Sequence, residues 1–120
     1  MTESFSLDQA RAALTRLRPV IDEFTAVRAD VAELAAAVHG GTPSALGGLP
    51  ELKAAQARLD ELVSLIVQSR ADVKGIAPLL IDFPSRLDGQ DVLLCWLEGE
   101  DDLGWYHRVD LGFAGRRRLT

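Results

Sequence analysis

The chain has 120 residues, 48% of them hydrophobic and 26% charged, a balance that suits one folded domain spanning 1–120 and excludes global disorder. Its net charge of −5 opposes nucleic-acid binding, which depends on clustered cations neutralising phosphates. No apolar run approaches the roughly 20 residues a membrane helix needs, so the expectation is no membrane partner. The opening residues, Met1-Thr2-Glu3-Ser4-Phe5, carry neither a basic nor an apolar segment, so no secretory signal is expected. A single cysteine precludes an internal disulfide, and the reading is a cytoplasmic protein. Basic charge comes from 11 Arg against 2 Lys, which with the many alanines suggests a GC-rich bacterial source.

Residues 6–39 read as a helix. Ser6-Leu7-Asp8-Gln9 has capping-box spacing, in which Ser6 and Gln9 satisfy each other's free backbone donors, and Phe5 ahead of it is placed to pack on Ala10. Leu7, Ala10, Leu14, Leu17, Ile21, Phe24, Val31 and Val38 recur at helical spacing, and Val20, Val27 and Leu34 widen the stripe. Pro19 lacks the N–H that would bond Thr15, so a kink or restart is predicted near Arg18. Glycines and prolines between His39 and Glu51 mark a long loop. A second helix is predicted over 50–70, with Leu52, Ala55, Leu59, Leu62 and Ile66 as its stripe and Val63 and Val67 broadening it.

The result is an antiparallel hairpin with arms of about 50 and 30 Å at 1.5 Å per residue. Two helices cannot bury stripes this wide by themselves. The reading therefore expects both a covering sheet and self-association, as a homodimer or higher homo-oligomer.

From residue 73 the period changes. Segments 79–83, 90–97 and 103–109 read as three antiparallel strands rich in branched and aromatic residues, with 73–74 as a short fourth. The fold class is thus α+β: a long helical hairpin followed by a small antiparallel sheet and C-terminal tail. Asp88-Gly89 is a two-residue hairpin signal, and Pro84 implies an edge strand. The apolar run 92–97 implies a central strand covered on both faces.

The Asp-Gly turn fixes a register. If Leu87 faces Gln90, Asp82 falls opposite Cys95 on one face, while Ile81, Phe83, Val92, Leu94 and Trp96 occupy the other. If the acidic loop spans 100–102, Cys95 faces His107; a register two residues away makes them diagonal on the same face. Asp82, Cys95 and His107 then form a row, with Glu100 at the loop.

Three chemistries fit that row. Carboxylate, thiolate and imidazole are zinc or iron ligands, and three of them leave one position for water. Alternatively, His107 activates Cys95 as a nucleophile with Asp82 orienting the ring. The third is a small-molecule pocket lined by Trp105. A buried cysteine that acts only as a small hydrophobe fits the same residues. His39, at a helix C-terminus, is explained by the helix dipole. In the tail, Gly112-Phe113-Ala114-Gly115-Arg116-Arg117-Arg118 mixes flexible backbone with cations as anion sites do, with Arg116 as the candidate residue, while the favoured reading is a tail whose arginines pair with the acidic loop.

These C-terminal residues resemble an uncharacterised bacterial family, domain of unknown function 2203. The resemblance is carried by Asp82-Phe83-Pro84, by Leu94-Cys95-Trp96-Leu97-Glu98-Gly99-Glu100, by Tyr106-His107 and by Gly112-Phe113-Ala114-Gly115-Arg116. Leu79 stands where the family pattern has glycine, and Tyr106 where it has tryptophan. The helical hairpin is similar as well, so the resemblance covers nearly the whole chain. It implies this fold and the candidates Asp82, Cys95, Glu100, His107 and Arg116, and it implies no activity.

Two functions follow from different classes. The first is a self-associating binding protein that uses the sheet face and C-terminal segment for a protein or small-molecule partner. The second is a metal-dependent or Cys-His enzyme centred on Asp82, Cys95 and His107.

Overall fold

A computed structural model describes residues 4–120. Two helices, α1 (Leu7–Gly40) and α2 (Leu49–Gln68), form a hairpin. A five-stranded antiparallel sheet follows: β1 (Asp72–Ile76), β2 (Leu79–Leu87), β3 (Gln90–Leu97), β4 (Trp105–Arg108) and β5 (Arg117–Arg118). Among the described residues, no helix is long and apolar enough to cross a membrane. The described residues divide into two compact units, one of Arg18–Leu65 and the other of residues 4–17 with Ile66–Thr120.

The first unit holds most of the hairpin. Ile21, Phe24 and Leu34 from α1 and Leu52 and Leu62 from α2 are buried, following the predicted stripes. Val38 and Val67, predicted within the stripes, are instead exposed near the helix ends. Arg58 joins the two helices with a fork of bonds to Glu23, at 2.6 and 2.7 Å. This pairing raises the Arg58 pKa and lowers that of Glu23, chiefly through the hydrogen bonds. Glu51 accepts from the Gly48 N–H at 2.8 Å, starting α2, and His39 donates from Nδ1 to the Ala35 carbonyl at 2.7 Å, ending α1.

Of the kink or restart predicted near Arg18, the restart does not occur: α1 runs as one helix from Leu7 to Gly40 with Pro19 inside it. Its ring forfeits one helical hydrogen bond, but Leu14 and Leu17 before it and Ile21 and Phe24 after it are all buried, and that burial carries the helix through.

The second unit contains the sheet. The capping box forms as read: Gln9 N–H donates to Ser6 Oγ at 3.1 Å, and Ser6 N–H donates to Gln9 Oε1 at 2.9 Å. The strands run as a meander in the order β1-β2-β3-β4-β5. Asp88 and Gly89 both take positive φ, 51° and 79°, as a tight hairpin turn whose twist matches its strands requires. Leu87 pairs with Gln90 and Asp82 with Cys95, the predicted register.

Alternation puts Leu79, Ile81, Phe83 and Ser85 on the same face as Val92, Leu94 and Trp96, and all are buried. The Phe5 ring meets Phe83 edge-on at 5.5 Å, and Ser85 Oγ donates to the Phe5 carbonyl at 2.6 Å. Ala10, Ala13, Leu14, Leu17, Ile66, Ala71 and Leu103 are buried in this unit as well.

Several sheet expectations need correction. The sheet has five strands because 72–76 forms a full edge strand and Arg117–Arg118 adds a two-residue one, which shows no alternating pattern to read. β2 continues beyond Phe83 to Leu87, since the tight turn demands strand up to its first residue. β4 begins at Trp105, because Leu103 is buried in the loop and lengthens it.

Pro84 lies on an interior strand rather than an edge. β1 ends its pairing opposite Asp82, however, so Pro84 faces no strand on that side, and its carbonyl accepts the Phe5 N–H at 2.7 Å. Proline's missing donor therefore leaves the β2–β3 ladder intact.

Two substitutions test this packing by urea denaturation. Phe83→Ala removes a fully buried ring and is expected to cost about 3–5 kcal/mol. Ser6→Ala removes only the helix cap and is expected to cost about 1 kcal/mol.

Candidate metal centre

Asp82 in the middle of β2, Cys95 near the end of β3 and His107 in β4 share the sheet face opposite Phe83 and Trp96. Each reaches it through strand parity. Asp82 is paired directly with Cys95, whereas His107 is paired with Leu93 and Trp105 takes the place opposite Cys95. His107 is thus diagonal to Cys95, the alternative register read from the sequence. Diagonal neighbours on one face are about 7–8 Å apart at the backbone, within reach of a ring. One ligand atom from each of the three residues lies within 4.8 Å of the other two.

All three side chains are deeply buried, with Asp82 1%, Cys95 0% and His107 4% exposed. His107 Nε2 lies 3.1 Å from Asp82 Oδ2, and Nδ1 lies 2.9 Å from the Arg108 carbonyl. A carbonyl can only accept, so Nδ1 carries a proton and Nε2 is the nitrogen turned toward Asp82. Asp82 Oδ1 is buried with no hydrogen-bond partner. A buried acceptor left unpaired costs about 1–3 kcal/mol, so this atom calls for a physical explanation.

The Cys95 thiol is pushed up from 9.0 to about 12. Burial is the largest cause; the Asp82 carboxylate adds to it, and the Arg116 cation partly offsets it. A thiol in this state is a poor nucleophile at neutral pH.

Glu100 and Arg116 stand beside the row rather than in it. Glu100 Oε1 accepts from the Leu97 N–H at 2.7 Å and from Arg116 Nη2 at 2.6 Å. Arg116 Nη2 also reaches the Cys95 carbonyl at 3.2 Å. The guanidinium carbon lies 4.7 Å from the centre of the Trp105 ring and 4.9 Å from that of Phe113. Arg116 Nε is buried without a hydrogen-bond partner. One arginine of the tail therefore pairs with the acidic loop, as one of the two sequence readings had it, while Arg118 lies over Trp105 at 5.1 Å.

The sequence reading placed Phe113 in this tail beside Arg116 but did not foresee the contact of its ring with the guanidinium. Its signal is the Phe113-x-x-Arg116 spacing across the short 3-10 turn Phe113–Gly115, which brings ring and guanidinium together. It also missed Arg11, which donates to the Leu103 carbonyl at 3.1 Å and pairs with Asp102 at 3.5 Å, bracing the acidic loop.

Residues 3–119 match the family described as Uncharacterized conserved protein (DUF2203), and the chain belongs to that family. No curated protein and no solved structure matches the chain.

Burial, with the Asp82 carboxylate beside it, keeps the Cys95 thiol protonated at neutral pH in the folded chain. Iodoacetamide labelling followed by intact mass should therefore be at least a hundredfold slower in native metal-free protein than in urea. Comparable rates would contradict the buried, protonated thiol.

Proposed function

We propose that this member of an uncharacterised family is a metal-binding protein whose Asp82, Cys95 and His107 hold one zinc(II) or iron(II) ion on the outer sheet face. The observation that carries the reading is the buried convergence of the three ligand atoms within 4.8 Å. Zinc takes sulfur at about 2.3 Å, nitrogen at about 2.0–2.1 Å and carboxylate oxygen at about 2.0–2.2 Å, so adjacent ligand atoms in a tetrahedral site lie roughly 3–4 Å apart. The 3.1 Å between His107 Nε2 and Asp82 Oδ2 is already at that spacing.

Two further features support it. A ligating histidine usually donates its other N–H to a carbonyl or carboxylate, which fixes the ring, and His107 Nδ1 does so to Arg108. A carboxylate and a thiolate together neutralise a dication, which removes much of the penalty of burying charge. The donor set is mixed sulfur, nitrogen and oxygen, which suits zinc or iron and disfavours the all-oxygen preference of calcium and magnesium. The Cys-His nucleophile fits less well, because Cys95 is buried and its thiol is raised rather than lowered.

Untagged protein purified without chelator should carry close to one zinc or iron per chain by mass spectrometry. Cys95→Ala and His107→Ala should each reduce that content at least tenfold while keeping the far-ultraviolet helical signal. Wild-type protein that holds no zinc or iron after loading and dialysis would defeat the reading.

A further inference from the structure

We propose that the metal keeps its fourth position for a water molecule that a small monoanion can replace, and that Arg116 is the residue that holds either one. This rests on the metal reading above. Tetrahedral zinc or iron needs four donors, and the row supplies three. Glu100, the carboxylate beside the row, is already committed to the Leu97 N–H and to Arg116.

Two buried atoms of opposite polarity flank Cys95 without partners: the acceptor Asp82 Oδ1 and the donor Arg116 Nε. Asp82 is paired directly with Cys95 across the strands, and Arg116 bonds the Cys95 carbonyl. Leaving both unmet costs about 1–3 kcal/mol each. A metal-bound water donates to a carboxylate oxygen and accepts from an N–H, so one molecule has the chemistry to satisfy both.

The Arg116 guanidinium is built to hold such a ligand rather than to sweep through solvent. Trp105 and Phe113 clamp it at 4.7 and 4.9 Å, and Glu100 ties its Nη2 at 2.6 Å. Its side chain is only 12% exposed. That fixes the direction of the remaining N–H groups before any ligand arrives, which lowers the ordering cost of binding.

Charge sets the ligand class. A dication with Asp82 and the Cys95 thiolate is neutral, and Arg116 with Glu100 is neutral as well. Neutral water or one negative charge is therefore accepted, while a multiply charged anion is opposed. Burial limits the ligand to a few atoms.

Cobalt(II) is the probe for the metal and azide the probe for the monoanion. A thiolate-to-cobalt charge-transfer band reports Cys95 ligation, and the visible bands report the remaining coordination. In cobalt-loaded wild type, azide should shift the visible bands saturably while the thiolate band persists. Arg116→Lys keeps a cation for Glu100 but loses the guanidinium plane, and azide affinity should fall at least tenfold with the thiolate band intact. Phe113→Leu, which opens one side of the clamp, should weaken azide to a smaller degree and serves if Arg116→Lys does not fold.

Each contrary result is distinct. A thiolate band with visible bands indifferent to azide shows a closed site and overturns this proposal while leaving the metal reading intact. Unchanged azide affinity in Arg116→Lys removes Arg116 from the subsite. Absence of any thiolate band defeats the metal reading itself.

Discussion

The Asp88-Gly89 turn is the constraint on which the rest of the sheet depends. Both residues take positive φ, and the two-residue turn leaves one register for β2 against β3. That register is reinforced by the core. A slip of one residue would turn Phe83, Leu94 and Trp96 toward the outer face and bring Asp82 and Cys95 into the apolar interior. Local turn chemistry and burial therefore enforce the same pairing. The polar row on the outer face is a consequence: once the aromatic residues are committed inward, parity places Asp82 opposite Cys95 on the other side.

Burying that row is costly, and the structure offsets the cost unevenly. Asp82 Oδ2 has His107, and His107 Nδ1 has the Arg108 carbonyl, but Asp82 Oδ1 has no hydrogen-bond partner, and Arg116 only partly offsets the burial of the Cys95 thiol. The neighbouring Glu100–Arg116 pair is treated differently. Its charges are matched at 2.6 Å, and the cation lies against two rings. That pair also anchors a C-terminal segment which the sheet itself holds through only two residue pairs, Trp105 with Arg118 and Tyr106 with Arg117. The Leu119 N–H on the Gly104 carbonyl at 2.9 Å and Arg118 over the Trp105 ring hold the same segment.

This division explains what could be read from the sequence. The helices were legible because capping and the apolar period are local, and Ser6, Gln9, Leu14, Leu17 and Ile21 behave as their spacing says. The Asp82–Cys95 pairing was legible because a two-residue turn fixes everything that follows from it. The His107 register was left as two alternatives, because the acidic loop contains Leu103, whose burial is a tertiary fact that sets where β4 begins. The restart that Pro19 suggested does not occur for a related reason, the burial of Leu14, Leu17, Ile21 and Phe24 on either side of it. β5 and the Phe113 clamp left almost no periodic trace, since a two-residue strand of arginines and a three-residue turn are defined by what they touch.

The raised Cys95 pKa separates the two chemistries open to a cysteine here. A nucleophile must give up its proton to solvent or to a base before it reacts, and burial beside the Asp82 carboxylate opposes that step. A metal ligand gives up its proton to make room for a dication, which sits where the proton was and reverses the sign of the local field. The features that suppress the first therefore do not suppress the second: a negative neighbour and a dry environment destabilise a bare thiolate but strengthen a thiolate–carboxylate pair around a cation. On this argument, the Asp82 carboxylate that adds to burial in keeping the metal-free Cys95 protonated would strengthen the hold of the same residues on a dication.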